Sequence, residues 1–422
     1  MRSKSFSLAS HLTFHIMPNE LFEKYADFKE TSLIKRRFKH HDMQTIIEHL
    51  PFEKEVAGAS FESRELYKIK IGSGKTTVLL WSQMHGDEAT ATMAIFDIFR
   101  FFQAKNDGFD ELRKTITENL TLHFVPMLNP DGAERFQRRT STGIDMNRDA
   151  LALQTPEGRL LKALVDELKP EFSFNLHDKG TRYSAGASGK QATVSFLATA
   201  YNQAKDWNET RTKSMQVICR MAEALQPIIP GYLGRWSDDF EPRAFGDNVQ
   251  KWGSSLVLIE SGGYKGDREK QFIRQLNFMA ILTALESIAK RDYTGYKLET
   301  YQAIPNNDKY IFDLLIRNAI FTENGKKLTK DIGINLDERN NKTATDFTLR
   351  SEIDDLGDLS IFFGLKEIDA TDMTVFTFDK FPELMKKYGA KSTKITLGNT
   401  ANLILIHKNK VKYVIVNGKL VE

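Results

Sequence analysis

Apolar residues along the chain fall into two alternating patterns. "TTVLLWSQM" from Thr76, "LTLHFVPML" from Leu120, "EFSFNLH" from Glu171 and "SSLVLIESGG" from Ser254 are apolar runs of strand length. Between them lie stretches with helical spacing. After Glu88, positions Ala91, Ile95, Ile98, Phe99 and Phe102 share one helical face. "GRLLKALVDEL" from Gly158 and "REKQFIRQLNFMAILTALESIAK" from Arg268 read the same way. Such alternation from about Leu66 to Ile288 predicts a sheet with helices on both faces. Ligands of such sheets sit outside the carboxyl ends of the strands. That is where the polar residues His85 and Glu88, Asn129 to Gly132, His177 and Glu260 fall.

Beyond "RDYTGYKLETYQAIP" the pattern changes. A polar stretch with short apolar alternations leads into "KITLGNTANLILIHKNKVKYVIVNGKLVE", which reads as short strands joined by "GN", "KNK" and "NG" turns. The expected organisation is an N-terminal extension over 1–44, an α/β domain over 45–296 and a small β-rich domain over 297–422.

Composition narrows the function classes. The 59 basic and 56 acidic residues leave a net charge of +3, with no nucleic-acid signature. The single cysteine, Cys219, excludes a disulfide framework and a thiolate zinc site. No apolar run approaches the roughly 20 residues of a membrane helix. The opening "MRSKSFSLASHLTF" lacks a sustained apolar stretch, so no signal peptide and a cytoplasmic location are expected.

The corner "HGDE" at 85–88 ends an apolar strand. Imidazole nitrogen and carboxylate oxygen suit zinc, which in catalytic sites takes three protein ligands and leaves one position open. Asp87 and Glu88 could equally cap a helix N-terminus. His177, ending "EFSFNLH", supplies the missing third ligand of a His/Glu/His set. Glu260 ends an apolar strand, where desolvation would raise its pKa toward that of a general base. The alternative is a solvated strand terminus.

In sequence order, "HGDE", "NPDG", "RR", "GIDMNRD", "NLHD" and "LIESGG" resemble the zinc metallocarboxypeptidases of the carboxypeptidase A-like type, over roughly residues 45 to 290. The resemblance implies an α/β/α sandwich around a mixed, mostly parallel twisted sheet. It also implies one zinc ion per chain and hydrolysis of an amide bond beside a free carboxylate. Carried over by position, His85, Glu88 and His177 are the metal ligands, and Asp145 orients His85. Glu260 is the general base and acid. Arg138 stabilises the oxyanion, with Arg139 as the alternative. Asn147 and Arg148 clamp the substrate carboxylate.

The chain departs from the digestive-type pattern at Asp87, where an arginine is common, and in its tyrosines. Tyr232 is the only tyrosine in the stretch leading to the Glu260 strand. Arg235, Trp236, Asp238, Arg243 and Asp247 are expected to line the pocket. Two other readings stay open: an amidase of cell-wall peptides or N-acyl amino acids, and a non-catalytic zinc- or peptide-binding module. The partner expected is a peptide-like molecule with a free carboxylate.

Overall fold

The structure is a computed structural model and describes residues 18–422. The segment read for a signal peptide and the first part of the N-terminal extension lie outside the described residues.

In chain order the front strands are β1 (Glu53–Ala59), β2 (Glu65–Ile71), β3 (Thr76–Ser82), β4 (Leu120–Val125), β5 (Phe172–Asp178), the two-residue β6 (Ser184–Ala185), β7 (Val194–Ala198), β8 (Leu233–Arg235) and β9 (Ser255–Ser261). All but β6 form one sheet in the order β1-β2-β4-β3-β5-β9-β7-β8. The centre, β4-β3-β5-β9, is parallel. Antiparallel pairs flank it on both sides.

Strands covered on both faces need apolar residues at successive positions rather than every second one. Every residue of β9 is buried. Side chains still alternate between faces. Val78 and Leu80 enter a core with the helices Thr90–Gln103, Asp110–Asn119, Glu209–Leu225 and Gln271–Lys290. Leu79 and Trp81 enter a second core with the helices Pro156–Leu168 and Phe245–Lys251. The front part is an α/β/α sandwich. The described part of the extension shares its first core through Leu21, Tyr25, Phe28, Leu33 and Phe38.

A short helix, Leu298–Gln302, precedes the β-rich part. There β10 (Asn307–Asp308) pairs with β6 of the front part. The remaining strands are β11 (Ile311–Glu323), β12 (Lys326–Asn340), β13 (Phe347–Gly357), β14 (Phe363–Asp369), β15 (Met373–Phe376), β16 (Leu403–His407), β17 (Lys410–Val416) and β18 (Lys419–Leu420). Their order is β13-β12-β11-β15-β16-β17-β18, with β14 parallel to β11. Asn324-Gly325 and Asn417-Gly418 have positive φ at both positions, as tight hairpin turns require. Ile332, Ile334 and Ile353 belong to this sheet's own apolar core. No helix among the described residues is long and apolar enough to cross a membrane.

Candidate metal centre and catalytic cleft

The chain leaves β3 at Ser82, and the next helix begins at Thr90. Ala89 holds the N-cap, and no side chain caps that helix, so the capping alternative for Asp87 and Glu88 falls away. The Glu88 N–H donates to the His85 carbonyl at 3.1 Å, folding the corner back on itself. "NPDG" holds the corner in place. Asn129 Oδ1 accepts from Gly132 N at 2.9 Å, and its Nδ2 donates to Met84 O at 3.2 Å. Gly86 packs directly against that segment. A Cβ there would lie 2.1 Å from the Gly132 carbonyl carbon, so only glycine fits.

The loop places His85 and Glu88 beside the end of β5. His85 Nδ1 lies 2.7 Å from Glu88 Oε1, and His177 Nδ1 lies 2.6 Å from Glu88 Oε2. One ligand atom from each residue can be chosen so that all lie within 4.8 Å of one another, and the three residues are buried. His85 Nε2 contacts Asp145 Oδ1 at 3.2 Å, which fixes the ring and leaves Nδ1 for the cluster. Arg138 Nε donates to Asp145 Oδ2 at 3.1 Å, and the Arg138 guanidinium lies 3.3 Å from Glu88 Oε1.

Burial alone would lower the basicity of His85. The Glu88 carboxylate and the bonds to Asp145 and Glu88 outweigh burial and raise it to about 9. His177 is lowered, by burial first, against the pull of Glu88. Burial would raise Glu88, but the two imidazoles hold it well below the usual carboxylate range. Two imidazole nitrogens and one ionised carboxylate converging in a buried site are a donor set that fits a single zinc ion.

Glu260 is the penultimate residue of β9, in register with His177 on β5. It is buried, and its Oε2 has no hydrogen-bond partner among the described residues. Burial first, then the Glu88 charge, pushes its carboxyl up to about 8, against the nearby Lys179 ammonium. Asp87 rises to about 6 for the same leading reason. Lys179 is itself buried and donates to Ser195 Oγ.

A cleft of about 1010 Å³ joins these groups and also takes in Arg138, Asn147, Arg148, Trp236 and Asp247. Arg148 reaches it already paired, with Nε 3.2 Å from Glu241 Oε2. Asn147 Oδ1 accepts from Phe245 N at 2.9 Å, tying the "GIDMNRD" loop to the front of a helix.

Three residues expected on the pocket wall do not line it. Arg235 bonds Asn306, Asp238 pairs with Arg211 and Lys205, and Arg243 pairs with Glu241. Each found a polar partner elsewhere. Tyr232 does not line the cleft and packs with its ring tilted against Tyr264, 5.6 Å between centroids. Tyr183 does line it, with Arg182 and Lys179, all on the segment after His177. Their position just past a strand end was the available signal. Residues of β12 and β13 also line the cleft, and no local pattern marked them.

Residues 43–171 match the family model described as zinc carboxypeptidase. Carboxypeptidase 2 of Trichophyton tonsurans is 28% identical over 141 residues, covering 33% of this chain and 25% of that protein. Carboxypeptidase D of Homo sapiens is 30% identical over 108 residues, covering 22% of this chain and 8% of that protein. The chain thus spans about a quarter, or less, of the length of these curated relatives. Among solved structures, a metallo-carboxypeptidase from Burkholderia cenocepacia superposes with a TM-score of 0.48 at 15% identity, over 60% of this chain and 70% of that one. The matched segment, residues 43–171, is thus that of a zinc carboxypeptidase domain, and the curated relatives similar to this chain are carboxypeptidases.

Proposed function

We propose that this chain is a zinc-dependent hydrolase that cleaves an amide bond next to a free carboxylate. The observation that carries the reading is Glu260, a buried carboxylate with one unpartnered oxygen beside the His85/Glu88/His177 cluster. A binding module has no use for an unpartnered buried carboxylate, which is costly to keep. The cluster would hold the zinc, which when bound polarises the scissile carbonyl and acidifies water.

The remaining work belongs to the chain. Glu260 takes the proton of the attacking water and passes it to the leaving amine nitrogen. The Arg138 guanidinium, beside Glu88, faces the charge that develops on the carbonyl oxygen. Asn147 and Arg148 receive the substrate carboxylate, and Arg148 exchanges Glu241 for it.

One observation favours a second reading, a general amidase. Arg148 already has a protein carboxylate within 3.2 Å and needs no substrate anion. The free-acid and C-terminally amidated forms of one good peptide substrate separate the two. Arg148 is 37% exposed before substrate binds, and a hydrogen bond to a charged group contributes about 1.5–3 kcal/mol. The carboxypeptidase reading therefore expects kcat/KM to fall at least tenfold on amidation. Equal rates on both forms would give the site to the amidase.

A further inference from the structure

The catalytic cleft has walls from two domains. Asn335, Asp337 and Glu338 on β12, Asp354 and Asp355 on β13, and Phe362 line the same cavity as His85, Glu88, His177 and Glu260. Several separated contacts fix this second wall. Arg36 and Arg37 both reach Glu338, at 2.7 and 2.8 Å. The Arg37 guanidinium lies between the Phe136 and Phe347 rings, 4.1 and 4.3 Å from their centroids. Arg182, five residues after His177, pairs with Asp337 at 3.0 Å and Asp313 at 3.3 Å. Ser195 Oγ donates to Asn307 Oδ1 at 2.8 Å beside the β6–β10 pair. Arg36 and Arg37 are themselves buried. Removing one partner from such a charge cluster leaves the other uncompensated, so these contacts hold the wall against the front domain.

The wall covers one side of the cleft. Arg148 is surrounded by front-domain groups: Glu241 is its ion-pair partner, Asn147 its carbonyl acceptor, and Phe245 bonds Asn147. None of these groups meets the second domain, which docks on Arg36, Arg37 and Arg182; Arg36 and Arg37 sit against Phe136, two residues before Arg138. If Arg148 holds the substrate carboxylate, the acyl portion of the substrate runs toward Arg138 and meets the wall. The cavity of about 1010 Å³ lies at the upper end of the roughly 300–1,000 Å³ that encloses a drug-sized ligand.

We propose that the C-terminal β-domain sets substrate length: β12 and β13 close the acyl side of the cleft and admit short peptides while excluding long ones. This rests on the hydrolase reading above and names its substrate class.

The test is a peptide ladder from dipeptide to octapeptide, all sharing one C-terminal residue, with the zinc-loaded full chain. Wild-type kcat/KM should fall at least about tenfold between the short and long ends. Arg182→Ala loosens the wall and should flatten the profile by raising octapeptide turnover relative to tripeptide. A merely structural arginine would lower all lengths equally. Asp355→Trp, which leaves the Arg182 and Glu338 contacts alone, should steepen the fall. A flat wild-type profile, or variants that leave the ratio unchanged, overturns the proposal.

Calorimetric titration of the ladder into Glu260→Gln separates the two readings, because binding needs no turnover. Weaker binding with length but no hydrolysis of any peptide by wild type keeps the wall and removes the hydrolase. Binding that is equal or tighter with length removes the wall, whether or not peptides are cleaved. No binding at any length removes both.

Discussion

Asp247 shows how one residue in the cleft couples burial to pH. Burial is the main cause that pushes its carboxyl up to about 7, and the neighbouring Glu241 charge adds to it. A carboxyl whose pKa is raised in the folded state binds its proton more tightly folded than unfolded. The contribution of this group to stability is therefore full at acid pH and falls as pH rises from about 4, the unfolded value, to about 7. Asp247→Asn keeps an acceptor for the Glu241 N–H, which bonds Asp247 Oδ2 at 2.7 Å, and removes the charge. Denaturant unfolding at about pH 5 and about pH 8 should show a smaller drop in the variant, with a gain on the order of a few kcal/mol at the higher pH. An identical drop in both proteins would mean Asp247 does not titrate in this window. At this scale the sequence carried the chemistry of residues that end apolar runs, because a polar group after "LLW", "FNL" or "LVLI" stands out. It did not carry the partner of Arg148. Glu241 lies 93 positions away, and two exposed-looking charges give no local sign that they will meet.

At the scale of elements, the metal corner depends on a contact between two loops. Gly86 lies against Gly132 and Ala133, and the nearest atoms to an added Cβ are all backbone. Backbone cannot rotate aside as a side chain can, so Gly86→Ala must move the loop carrying His85 and Glu88. Overpacking of this kind typically costs about 1–3 kcal/mol. The expected outcome is a lower melting temperature together with zinc affinity reduced at least about tenfold, since ligand position as well as stability is disturbed. Unchanged zinc affinity would separate the corner's geometry from this packing. The strands and helices were readable from periodicity, because burial on both faces forces continuous apolar strands. The loop contact was not readable: "NPDG" read alone is turn chemistry, and its bond to Met84 O appears only once β3 and β4 lie side by side.

For the whole molecule, the change of pattern past residue 295 announced a β-rich part with its own core. It did not announce that this part would help line the front cleft. The ion pairs that dock it, Arg36 and Arg37 with Glu338 and Arg182 with Asp337, join positions more than 150 residues apart. Such pairs leave no periodic trace.

The proposed activity depends on one metal ion at His85, Glu88 and His177 serving hydrolysis at Glu260. The most direct measurement strips the full chain with a chelator and titrates zinc back while following cleavage of a free-acid peptide. The stripped protein should show no turnover, and recovery should be linear and break at about one equivalent of zinc per chain, as expected for three protein ligands with one open position. Turnover that survives chelation, or a recovery with no break near one equivalent, would contradict this dependence.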